Sequence, residues 1–115
     1  MSETKTQTGV AVDNRRHHER VAGPFDGHRV NALETPVRIF DLSEGGCFVN
    51  SLHDQQSDVN FVLKIDLPYE GWITLTAQTL YRKPGFGFAV SFTEMSDEAL
   101  MRLRKAVEHL KRRGL

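Results

Sequence analysis

Two short stretches hold most of the side chains that could do chemistry. Arg15-Arg16-His17-His18-Glu19-Arg20 places two arginines four residues apart, with a third just ahead of them. Asp41-Leu42-Ser43-Glu44-Gly45-Gly46 reads DxSxxG. An arginine guanidinium is a planar fork of donors. It pairs with phosphate oxygens or with O6 and N7 on the Hoogsteen edge of guanine, and it stacks on purine faces. A carboxylate such as Asp41 only accepts, so it suits the other guanine edge, where N1 and N2 donate. Ser43 brings a hydroxyl for a ligand or for the local backbone. Gly45 and Gly46 lack Cβ, so the chain there can approach a flat base, take positive φ or form a bulge. The set offers both halves of guanine recognition and neutralises phosphate charge.

Other chemistries are poorly supplied. His17, His18, His28, His53 and His109 show no zinc spacing, and Cys47 is the one cysteine. A metal site and an intrachain disulfide are therefore not expected. Ser43, His53 and an aspartate can be written as a triad, but no nucleophile elbow accompanies them, so no catalytic residue is assigned. Gly85-Phe86-Gly87-Phe88-Ala89-Val90 approaches the aromatic strand of RNA-recognition motifs. Pro84 and Ser91 break that frame, and alternating Phe residues read as core. Cys47 reads as a small buried hydrophobe.

These residues need a scaffold. The chain has 115 residues and a formal net charge of zero, enough for one domain with a modest core and no global field for a polyanion. No apolar run approaches the ~18 residues of a membrane span, and no signal-peptide core opens the chain. The expectation is a soluble, cytoplasmic protein without membrane insertion. Residues 1–13 read as a disordered tail, and residues 14–26 as a mobile arm ending near Gly23-Pro24. From 27 to 93 the pattern is strand after strand. His28–Leu33 is a candidate first strand. Val37 and Ile39 alternate with polar neighbours, and Cys47–Asn50 continues beyond the glycines. Phe61, Leu63, Ile65 and Leu67 show period 2, then Ile73, Leu75, Ala77, Thr79 and Tyr81, then Phe86, Phe88, Val90 and Phe92. Turn signals sit at Pro68–Gly71 and Pro84-Gly85. The pattern predicts an all-β domain, a six-stranded antiparallel barrel. A C-terminal helix over 96–113 follows, capped by Ser96, with Leu100, Leu103, Val107 and Leu110 on one stripe.

RxxxR followed by DxSxxG, one before and one inside a strand-rich segment, resembles the PilZ domain family of bacterial cyclic di-GMP receptors. The resemblance covers about residues 14–110 and implies the same barrel closed by a helix. It implies that Arg16 and Arg20 clamp guanine and phosphate, that Asp41 and Ser43 hold a guanine edge, and that Gly46 gives access, with Gly45 beside it in the ligand-binding loop. Arg15, just ahead of RxxxR, tilts the expectation toward an intercalated ligand dimer. The implied role is a receptor or adaptor, not an enzyme, with no cofactor besides the ligand. Ligand would order the arm and alter a surface that an effector protein reads. Two other readings stand beside it. One is an OB-like barrel for single-stranded nucleic acid, disfavoured by the neutral charge. The other is a ligand-independent interaction domain of the same family, disfavoured by the intact motifs.

Overall fold

The computed structural model describes residues 19–30, 33–51 and 60–113. Six strands and a helix follow one another as β1 (Phe25–Val30), β2 (Glu34–Phe40), β3 (Gly46–Asn50), β4 (Asn60–Leu67), β5 (Gly71–Lys83), β6 (Gly87–Glu94) and α1 (Asp97–Arg113). The strands close into a barrel in the order β1-β2-β3-β6-β5-β4, with β4 returning to β1 and every pair antiparallel. Closure gives every described strand a partner on both sides along at least part of its length.

Period-2 alternation decides which side chains fill the barrel. Phe61, Leu63, Ile65 and Leu67 point inward from β4, and Ile73, Leu75 and Ala77 from β5. Ile39, Val49, Phe88 and Val90 complete the interior, where Phe61 and Phe88 meet edge to face at 5.9 Å. Arg29 also faces inward on the alternation of β1, and its Nε has no hydrogen-bond partner. β3 and β6 lie so close that a Cβ on Gly46 would overlap the Val90 carbonyl oxygen.

Four expectations change. The first strand begins at Phe25 and runs to Val30, because residues 25 to 30 pair with β2 and residues 27 to 30 also pair with β4. The β5 alternation breaks at a register shift between Thr79 and Tyr81, which leaves Tyr81 on the surface. Phe86 is not core: it sits in the turn between β5 and β6 and is 58% exposed. On α1 the buried stripe runs through Ala99, Leu103, Ala106 and Val107, with Leu100 only half-buried.

The helix starts as its sequence suggests. Ser96 Oγ accepts from the Ala99 amide at 3.0 Å, and Asp97 and Glu98 sit in the first turn, where the helix dipole favours anions. α1 lies at the barrel end that carries the β2–β3 and β4–β5 connections. Arg102 Nη2 donates to the carbonyls of Glu70 and of Trp72, the latter at 3.1 Å. The His109 ring packs on Tyr69 with centroids 4.3 Å apart. Burial should outweigh capping here. Ser96→Ala is expected to cost about 1 kcal/mol. Leu103→Ala, at a fully buried position, should cost about 2–5 kcal/mol. Urea denaturation of both variants checks the order, and a larger loss for Ser96→Ala would contradict it.

Candidate ligand-binding site

The site is built where the chain before β1 crosses the end of β2. At Asp41 the backbone turns with φ of 50°, a left-handed conformation that aspartate tolerates better than most residues. The Asp41 amide donates to the Ala22 carbonyl at 3.1 Å. One residue on, Leu42 and Val21 exchange a pair of backbone hydrogen bonds, each 2.9 Å, and both side chains are buried. This bridge lays Glu19–Ala22 alongside the loop. The Arg20 guanidinium reaches the Asp41 carbonyl through Nη1 at 3.4 Å, a long contact, and both side chains stay exposed. An arginine and an aspartate are therefore brought to neighbouring positions at the surface.

Below them the loop is held by Ser43, which is 1% exposed. Its hydroxyl accepts from the amides of Gly45 at 3.1 Å and Gly46 at 3.2 Å, and donates to the Gly46 carbonyl at 3.3 Å. The Gly45 carbonyl accepts from the Phe92 amide at 2.9 Å, which fastens the loop to β6. Two ion pairs tie the site to α1: Arg104 with Glu44 at 3.0 Å, and Lys111 with Glu19 at 2.8 Å. Cys47 lies beneath. Burial pushes its thiol well above the ordinary range; Arg20 pulls it down and Asp41 pushes it up, both by less.

The sequence model of the PilZ domain matches residues 14–109. The chain belongs to the PilZ domain family. Its fold is similar to that of the inhibitor of motility MotI/DgrA from Bacillus subtilis, with TM-score 0.69 and 18% identity over 87% of this chain and 51% of that one. The chain thus spans about half of that protein's length. It is also similar to the PilZ domain of YcgR from Escherichia coli, solved with c-di-GMP, with TM-score 0.67 and 17% identity over 87% of this chain and 94% of that one. At such identities the likeness is one of fold, a closed barrel with a C-terminal helix. No curated protein matches the chain.

Within this PilZ domain the structure brings Arg20, Asp41, Ser43, Gly45 and Gly46 together; Arg15 and Arg16 lie outside the described residues. Three expectations need restating. Ser43 does not present its hydroxyl at the surface, because the loop's own amides use it. Gly46 is required by the approach of β6, whose Val90 carbonyl oxygen leaves no room for a Cβ. The arm expected to be mobile over 14–26 is, from Glu19 onward, bonded to the barrel, and Phe25 and Asp26 already belong to β1. Val21, Arg104 and Lys111 belong to the site without lying in either motif. The basic run at 102–113 was a signal, but only the fold shows which of its cations meet the site.

Ser43→Ala should leave the Gly45 and Gly46 amides without an acceptor, at a cost of about 1–3 kcal/mol. Faster hydrogen exchange at those two amides, with the β4 amides unchanged, is the expected signature. Cys47 in the folded PilZ domain should resist iodoacetamide and react only on unfolding.

Proposed function

We propose that this PilZ domain is a receptor for cyclic di-GMP that passes the signal to a partner protein. The observation that carries the reading is the juxtaposition of Arg20 and Asp41, both exposed, beside the Val21–Leu42 bridge. The ligand has two guanines and two phosphodiester charges. Arg20 supplies a fork for a phosphate or a Hoogsteen edge, and Asp41 an acceptor for guanine N1 and N2. Family membership supports the ligand, as does a fold neighbour solved with it. Arg15 and Arg16 enter through the RxxxR motif alone; the proposal gives Arg16 the second clamp and Arg15 a part in holding an intercalated ligand dimer. Ser43, Gly45 and Gly46 shape the loop that aims Asp41.

A binding role requires no nucleophile or metal. The proposed output is a change in the surface around residues 14–22 when the arginines close on the ligand, read by an effector protein. Glu19–Ala22 already lie on the barrel, so the proposed change falls on the part of the arm that precedes Glu19.

Cyclic di-GMP should raise the melting temperature, and GTP, GMP or a linear dinucleotide should do so much less. At a concentration ~100 times Kd the stabilisation is about 2.7 kcal/mol. Arg20→Ala should weaken binding by about 2 kcal/mol, the scale of hydrogen bonds to charged groups. Arg20→Lys should recover little, because the planar fork is lost. Asp41→Ala separates two models. The guanine-edge role predicts lost binding and selectivity, whereas Coulomb repulsion between carboxylate and dianion alone predicts tighter binding. Calorimetry measures affinity and stoichiometry together. A folded sample with no response at millimolar ligand would overturn the receptor reading.

A further inference from the structure

The outer face of the barrel carries an aromatic row across four strands. Phe40 on β2 lies opposite Phe48 on β3, Phe48 opposite Ala89 on β6, and Ala89 opposite Tyr81 on β5. Residues directly opposite in a ladder share one face. Ile39, Val49 and Val90 point inward between them, so the row points out. At the β5 end Leu80 is 58% and Tyr81 60% exposed, and the exposed Phe86 follows in the turn. Asn50 Nδ2 donates to the Phe86 carbonyl at 2.7 Å, which holds that turn against β3.

Charge frames this face. The neighbouring row runs Arg38, Asn50, Gly87, Lys83, with a cation at each end. β3 contributes no charged residue, and β6 none before Glu94. Asp26 lies 3.9 Å from Arg38, at the limit of an ion pair. The opposite outer face differs. There Glu34 is shared by His28 at 2.8 Å and Lys64 at 3.4 Å, and the His28 ring meets Trp72 edge-on at 5.2 Å.

We propose that the Phe40–Phe48–Ala89–Tyr81 face docks a protein segment bearing large apolar side chains flanked by carboxylates. Exposed apolar clusters rimmed by polar groups mark such surfaces. The apolar centre with cations at both ends sets the chemistry of the occupant. A second copy of the chain fits poorly, since antiparallel rows in a two-fold contact would set Arg38 against Lys83. A nucleic-acid strand needs a cationic groove along its backbone; here two cations, Arg38 and Lys83, border an apolar centre on a chain of zero net charge. Phe40 directly precedes Asp41, so an occupant of this face would abut the candidate ligand site, but docking does not depend on ligand.

The test is NMR titration of the 15N-labelled full chain, with and without cyclic di-GMP, so that loss of ligand binding leaves the docking result intact. The probes are a synthetic peptide of Leu and Phe flanked by Glu, its counterpart with Lys at every Glu, and oligothymidylate. The acidic peptide should shift the amides of Phe48, Ala89, Tyr81 and Lys83. Tyr81→Ser and Phe86→Ser should each raise its Kd about tenfold, and Lys64→Gln on the other face should not. Equal binding of the basic peptide, tighter binding of oligothymidylate, concentration-dependent shifts without any probe, or no shift on this face at millimolar acidic peptide would each overturn the proposal.

Discussion

The two backbone hydrogen bonds between Val21 and Leu42 are the constraint on which the site depends. They join a segment before the barrel to the loop that leaves β2, two places 21 residues apart in sequence. The bridge is dry, because both side chains are buried, so the bonds face little competition from water. From it project the neighbours on either strand, Arg20 and Asp41. Opposite charges stand together there through main-chain geometry, without a side-chain ion pair to hold them. Both groups keep their polar atoms at the surface, where a ligand could take them.

The helix extends this constraint. α1 buries Ala99, Leu103, Ala106 and Val107 against the barrel end and then reaches out on three sides. Arg102 holds the β4–β5 turn, Arg104 holds Glu44, and Lys111 holds Glu19. Exposed ion pairs of this kind contribute little stability each, of order 0–1 kcal/mol. Their consequence is positional: the pre-barrel segment and the DxSxxG loop are fastened to the same rigid element. Movement of either against the other has to break contacts with α1.

The DxSxxG motif divides into architecture and chemistry. Ser43 and Gly46 belong to the first: one is a buried node for two amides, the other is dictated by the Val90 carbonyl. Asp41 belongs to the second, with an exposed carboxylate on a left-handed residue. A substitution at either kind of position could abolish binding. At Ser43 or Gly46 it would act through the loop and at Asp41 through lost contacts, which stability measurements separate.

Local pattern carried much of the fold. Period 2 in β4 placed Phe61, Leu63, Ile65 and Leu67 inside, because side chains on a strand alternate by geometry alone. Ser96 marked the helix start, because an N-cap needs only its own next turn. The motifs pointed to Arg20 and Asp41 because residue type and spacing already encode donor and acceptor chemistry. What depended on distant partners stayed hidden. The bulge that turns Tyr81 outward arises from pairing with β6, and Phe86 is expelled by a turn that period 2 cannot anticipate. The alanines of α1 are buried because the helix axis settles on a barrel end whose shape no single segment contains. Ser43 could be read from sequence as a ligand contact or a turn residue. Only the assembled loop shows that the hydroxyl is buried and bonded to the Gly45 and Gly46 amides, because those partners are set by how the loop closes on itself.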